Sequence, residues 1–142
     1  MERILDWNKY LDTAAKMVSE GIVMLKNDNN ALPLDTDKEV AVFGRIQFHY
    51  YKSGTGSGGM VNVTKVVNIL DGLIDNGVRV NEKLLDTYRK WDKENPFDLG
   101  EGWGGEPWSQ KEMPLDEGLV KETAKSCETA IVITGWRQAL IC

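Results

Sequence analysis

"EVAVFG", Glu39 to Gly44, is a short apolar run that ends in glycine. It suits a buried strand of a parallel sheet. "TAIVITG", Thr129 to Gly135, reads as a second strand of the same apolar kind. "VRVNEK", Val78 to Lys83, is shorter and half polar, and reads as a third. Helical spacing fills the gaps between them. Asp6 to Gly21 is a helix that Asp6 or Asn8 can cap, with Tyr10, Leu11, Ala14, Ala15, Met17 and Val18 on its apolar face. Val63 to Gly77 is the next, with Val63, Val66, Val67, Leu70, Leu73 and Ile74 as its buried stripe. Glu82 to Asn95 is a helix ended by Pro96, and Leu115 to Glu128 is one with Asp116 as its cap. Strands alternating with helices imply a parallel sheet with helices on its faces. The expected fold class is α/β: a partial three-layer α/β/α sandwich with a mostly parallel sheet.

Residues 1–38 read as a helix with an extended lead-in, "IVMLKN", and a turn, "DNNALPL", in which asparagines tolerate left-handed backbone and Pro33 blocks helix. Residues 39–135 read as the α/β core, and 136–142 as a divergent tail. A doubly wound sheet normally continues with a helix after a strand such as Thr129–Gly135. The sequence instead ends at "GWRQALIC", so the domain is expected to be incomplete. The last strand is then expected to have an exposed apolar edge, Ala130 to Thr134, that pairs with other chains.

Composition narrows the function. The chain has 142 residues and a net charge of −5, with Lys and Arg scattered rather than clustered. That argues against a nucleic-acid surface. No stretch is long and apolar enough to cross a membrane, and the first residues hold no signal-peptide run. Only Cys127 and Cys142 occur, which is no disulfide framework. A cytoplasmic location is the expectation. His49 is the sole histidine, so no metal site is expected, and no cofactor. It reads as a loop hydrogen-bonder, and Cys127 as a small buried residue.

The loop from Arg45 to about Asn62 leaves the carboxyl end of the first strand, where open α/β sheets bind ligands. Gly54, Gly56 and Gly59 satisfy the dinucleotide pattern G-x-G-x-x-G. That pattern needs its first glycine directly after the strand, so that the helix N-terminus meets the pyrophosphate. Here Gly54 is too far from Gly44, and no Gly-Lys-Ser/Thr follows to make a P-loop. Aromatics (Phe48, His49, Tyr50, Tyr51), hydroxyls (Ser53, Thr55, Ser57) and one cation, Lys52, fit a sugar better than a phosphate. Aromatic faces pack on sugar rings, and glycines let the backbone come close. The plain alternative is a glycine loop that only reverses direction.

"EGIVMLKNDNNALPL", "VAVFG", "GTGSGG" and "VNILDGL", in this order, resemble glycoside hydrolase family 3, the β-glucosidase family. The match is to its α/β sandwich domain. "YYKSGTGSGG" with "ENPFDLGEGWGGEPWSQKEMPLDE" looks closest to members in which the sandwich precedes the catalytic barrel. The resemblance implies a retaining mechanism with two carboxylates in the complete enzyme. The nucleophile is an aspartate on the barrel, which has no counterpart here. The acid/base glutamate of many members lies just after the strand that resembles "AIVITG". Trp136 to Cys142 contain no carboxylate, so this chain is expected to supply no catalytic residue.

What the resemblance leaves to this chain is part of the pocket wall for a β-glucoside or oligosaccharide. Tyr50, Tyr51, Lys52, Ser53, Gly54 and Thr55 are the candidates in the glycine loop. Trp103 and Trp108, in the second loop with Glu101 and Glu106, are candidates for stacking on a second sugar, or for a small satellite core. The alternatives are a non-catalytic carbohydrate-binding or partner module and, further off, a nucleotide-binding α/β domain.

Overall fold

A computed structural model describes residues 5–50, 65–101, 105, 107 and 109–135. The chain divides into two compact units, Met1–Leu34 and Asp35–Cys142.

The first unit is a helix and a turn. Asp6 caps helix α1 (Trp7–Gly21), its side chain accepting from the Lys9 N–H. None of the helix's residues is buried. Ile22, in an extended conformation, leaves the helix, and the chain to Asn27 joins no strand. Asn27 then clasps the next turn from both sides. Its Nδ2 donates to Leu32 O at 2.7 Å, and its Oδ1 accepts from Leu32 N at 3.0 Å. Asn29 and Asn30 sit at φ 54°, the left-handed conformation that asparagine tolerates.

The second unit is built on a parallel three-stranded sheet in the order β2-β1-β3. Strand β1 is Glu39–Phe43, β2 is Arg79–Val80 and β3 is Thr129–Val132. Helix α2 (Ile69–Asp75) joins β1 to β2, while α3 (Glu82–Glu94) and α4 (Glu117–Ser126) lead from β2 across to β3. Asn81 caps α3 and Asp116 caps α4, each side chain accepting the N–H three residues on. Strand alternation puts Ala41 and Phe43 on one face of β1. They pack there with Leu84, Tyr88, Met113 and Cys127. Val40 and Val42, on the other face, are equally buried. Both faces of β1 are covered, as a central parallel strand requires.

Two expectations shift. Helix α2 begins at Ile69, not at Val63, because the Asn68 side chain accepts from Asp71 N at 2.7 Å and starts the helix there. Val66 and Val67 precede it in an exposed non-helical stretch, and among the described residues of the expected stripe only Leu70 is fully buried. Strand β2 is confined to Arg79–Val80, since α3 starts at Glu82. Strand β3 is as apolar as β1 but not as buried, with Val132 70% exposed. It has β1 on one side and no strand on the other among the described residues. Its apolar character is therefore not matched by cover.

Candidate sugar-pocket wall at the carboxyl end of β1

The chain leaves β1 on one side of the sheet and returns through β3 on the other, so the crevice between their carboxyl ends is the switch point of the topology. Gly44 makes the exit. Its φ is +107°, and an added Cβ would lie 2.0 Å from the Ile133 carbonyl oxygen. Glycine is required on both counts. Ile133 N donates to Phe43 O at 2.8 Å, holding the two strand ends together.

A short helical turn, Arg45–Gln47, follows and is wholly buried. A carboxylate supports its start. Both oxygens of Glu112 accept from Arg45 N, at 3.1 and 3.0 Å, and Oε1 also accepts from Met113 N at 2.8 Å. The Gln47 side chain folds back and donates to Gly44 O at 2.9 Å.

Arg45 is the hub of the site. Its side chain is 1% exposed. Nη1 donates to Lys111 O at 2.9 Å, while Nη2 donates to Asp92 Oδ1 and to Asn95 O, each at 2.7 Å. The guanidinium carbon lies 4.9 Å from the Trp91 ring centre and 5.3 Å from that of Phe97. This is cation–π contact in a desolvated setting. A planar fork with several donors is what such a position needs, and only arginine supplies it. One side chain thus joins the exit of β1, the end of α3 and the loop that precedes α4.

Asp92 extends the hub outward. Its Oδ2 lies 2.7 Å from His49 Nε2, while its Oδ1 holds Arg45. The His49 ring stacks on Phe97 with centroids 4.5 Å apart and planes 25° from parallel. His49 is thus fixed on two sides, and the next residue, Tyr50, is exposed. An open cleft of about 360 Å³ adjoins, lined by Phe48, Asn68, Leu70, Asp71, Arg89, Asp92 and Lys93. Phe48 and Asn68 lie on either side of the glycine loop in the chain, so the cleft sits where that loop departs and returns.

The second loop is closed at its base. Gln110 Oε1 accepts from Asp98 N at 3.0 Å, and Gln110 Nε2 donates to Asp98 O at 2.7 Å. Lys111 Nζ donates to Asn95 Oδ1 at 2.6 Å. The stem is held by Arg45 from below, through Asn95 O and Lys111 O.

Tyr88 sits beneath the exit. Its hydroxyl accepts from Gly44 N at 3.0 Å. Burial raises its pKa above the usual tyrosine value, the Gly44 hydrogen bond opposes that, and the Glu112 charge adds to it. A phenol raised in the fold stabilises the fold below its unfolded value, and that contribution is lost as pH rises through the folded value. Unfolding free energy is therefore expected to fall above pH ~10. Tyr88→Phe removes this slope and costs ~1–2 kcal/mol at neutral pH by orphaning Gly44 N. Urea unfolding of both proteins at neutral and alkaline pH checks it. Equal slopes would assign the loss to other groups.

Of the sequence candidates, Tyr50 is described, exposed and next in the chain to His49, but it does not line the cleft. Tyr51, Lys52, Ser53, Gly54, Thr55, Trp103 and Trp108 lie outside the described residues. Arg45, Asp92 and Glu112 are the site residues that sequence reasoning missed. Nothing in a single sequence links Arg45 to a carboxylate on the third helix. The one available signal was the pair of aromatics, Trp91 and Phe97, flanking Asp92 and Asn95. Among the described residues, no group of three or more His, Cys, Asp or Glu could hold a metal ion, and no helix is long and apolar enough to cross a membrane.

Comparison with known proteins agrees with this architecture. Residues 22–140 match the family model for the glycosyl hydrolase family 3 C-terminal domain. A β-glucosidase of Ruminococcus albus is 60% identical over 131 residues, which is 92% of this chain and 14% of that protein. β-Glucosidase A of Butyrivibrio fibrisolvens is 32% identical over 92% of this chain and 15% of its own length. Among solved structures, a β-glucosidase from Paenibacillus barengoltzii superposes with a TM-score of 0.83 at 47% identity, over 96% of this chain and 15% of that one. β-Glucosidase 3B from Thermotoga neapolitana, in complex with glucose, gives a TM-score of 0.74 at 28% identity, over 89% and 18%. The chain therefore spans about one-seventh of the length of the curated relatives it matches. It belongs to glycosyl hydrolase family 3, as a C-terminal α/β domain of the kind found in β-glucosidases.

Proposed function

We propose that this chain supplies part of the sugar-pocket wall of a β-glucosidase-like glycoside hydrolase, and that it has no hydrolytic activity alone. The observation that carries the reading is the buried turn, Arg45 to Gln47, and the fixed His49 that precede the glycine loop in the chain. The loop springs from a rigid base, Gly44 to His49, at the carboxyl ends of β1 and β3. The loop residues Tyr50 to Thr55 form the wall, and Trp103 and Trp108 extend it toward a second sugar. In the complete enzyme the substrate is a β-glucoside or oligosaccharide, cleaved with retention by two carboxylates that this chain does not provide. The low cysteine count supports a cytoplasmic location. The uncovered β3 edge supports self-association as well.

Calorimetric titration with glucose and cellobiose, alongside an assay with an aryl β-glucoside, tests this reading. The expected result is no turnover, with binding in the millimolar range or weaker, since half a pocket forms half the contacts. Micromolar binding without turnover would instead make the chain a self-sufficient carbohydrate-binding module. Turnover abolished by a substitution within the chain would overturn the proposal.

A further inference from the structure

We infer that Asn76 is a deamidation site of this chain, and that opening of helix α2 sets its rate. Asn76 is the only asparagine followed by glycine. Gly77 carries no side chain to shield its backbone nitrogen, and both residues are exposed at the turn from α2 into β2. The other asparagines are each followed by a residue with a side chain, and Asn95 by Pro96, which has no N–H at all. The chemistry needs only water. The Gly77 nitrogen gives up its proton and attacks Asn76 Cγ, the Cγ–Nδ2 bond breaks, and ammonia leaves with that proton. A five-membered imide then links the two residues. Water opens it at one carbonyl or the other, leaving aspartate or isoaspartate at position 76.

In the fold, both reacting groups are tied down. Gly77 N donates to Ile74 O at 2.9 Å, so the nucleophile is engaged. Asn76 Nδ2 donates to Gly72 O at 2.7 Å, so the leaving group is held against the helix. Asn76 sits at ψ 14°, which nearly eclipses the Gly77 nitrogen with the Asn76 nitrogen and turns it away from the side chain. Both acceptors, Gly72 O and Ile74 O, belong to α2. The reacting groups are freed together only when the last turn of α2 opens. That helix has seven residues and one buried side chain, Leu70. Two turns are short for a helix, and the Asn68 cap holds the first of them. Such a segment opens without the rest of the domain. Conversion then keeps it from reclosing as before. Aspartate at position 76 has no donor for Gly72 O and puts a second carboxylate, beside Asp75, at the negative end of the helix. Isoaspartate adds a methylene to the main chain just ahead of β2. The helix and its cap lend Asn68, Leu70 and Asp71 to the open cleft that Phe48 and Asp92 also line, so damage at Asn76 reaches the cleft wall.

Peptide-mapping mass spectrometry of the purified full chain, held in mildly alkaline buffer and sampled over weeks, is the test. The expected first product is the amide-to-acid mass gain at Asn76, formed at least ~10-fold more slowly than in the same chain unfolded in urea. Asn68→Ala uncaps α2 and is expected to speed the folded reaction ~5-fold, since the open population rises with the loss of a cap. Gly72→Ala strengthens the helix and is expected to slow it ~3-fold. In urea all three chains should react at one rate, because the Asn76–Gly77 pair is unchanged. Tyr88→Phe, which destabilises the domain away from α2, should leave the folded rate unaltered. Equal rates in the folded and unfolded chain overturn the inference, as does an earlier conversion at any other asparagine. A folded Asn76 that stays intact after Asn68→Ala overturns it too. So does Tyr88→Phe speeding the reaction as much as Asn68→Ala, which would assign it to global unfolding.

Discussion

Replacing Gly44 by alanine is expected to unfold the α/β unit at room temperature or bring it close to that point. The new methyl carbon would meet Ile133 O at 2.0 Å and the Ile133 carbonyl carbon at 3.0 Å. These are backbone atoms, so no rotamer change relieves the clash. Either β1 and β3 separate at this end, or the Gly44 backbone rotates away from φ +107°. Separation breaks the 2.8 Å bond from Ile133 N to Phe43 O. Rotation breaks the bond from Gly44 N to the Tyr88 hydroxyl. Clash, left-handed backbone and a lost buried hydrogen bond together cost ~4 kcal/mol or more. A domain of this size has ~5–15 kcal/mol in total. Gly72→Ala is the control. It lies inside α2 with nothing within 4 Å of an added Cβ, and is expected to stabilise by ~0.5–1 kcal/mol. Urea midpoints by circular dichroism compare the three proteins. A Gly44→Ala chain as stable as wild type would mean that the β1–β3 junction is looser than the geometry describes.

The same glycine shows how far the sequence alone could reach. That a strand ends at Gly44 is legible, because an apolar run stops there. That the glycine is obligatory is not, because its neighbour Ile133 is far along the chain and only the sheet brings it close. The caps at Asp6, Asn81 and Asp116 follow a local rule, and Asp6 and Asp116 were readable from it. The start of α2 was misread for an equally local reason. Val63, Val66 and Val67 continue the helical period of Leu70, and period alone outweighed the capping asparagine at Asn68. The family was legible because ordered motifs are linear. The Arg45 hub was not, because every contact it makes beyond its own turn reaches residues more than forty positions away.

That hub carries the second large effect. Arg45→Met is expected to destabilise the α/β unit by ~3–5 kcal/mol. A buried ion pair can often be exchanged for apolar residues of similar volume at little cost. Here that exchange fails for a stated reason. The guanidinium serves two backbone carbonyls, Asn95 O and Lys111 O, as well as Asp92. Methionine fills the space against Trp91 and Phe97 but donates to none of the three acceptors. Lysine restores the charge without the planar fork, so Arg45→Lys is expected to recover only part of the loss. Asp92→Asn is the milder change, ~1–3 kcal/mol, since the amide still accepts from Arg45. Hydrogen exchange separates a general loss of stability from the specific one. With Arg45 gone, the stem of the second loop around Asn95 and Met113 and the turn from Arg45 to Phe48 should lose protection first. Thr123, held within α4, and Leu84, whose N–H donates to the Asn81 cap of α3, are bonded away from the hub and should keep theirs until global unfolding. An Arg45→Met chain with wild-type stability and unchanged exchange at Met113 would show that packing alone holds the two loops together. The rigid base for the glycine loop would then have to come from Gly44 and Tyr88.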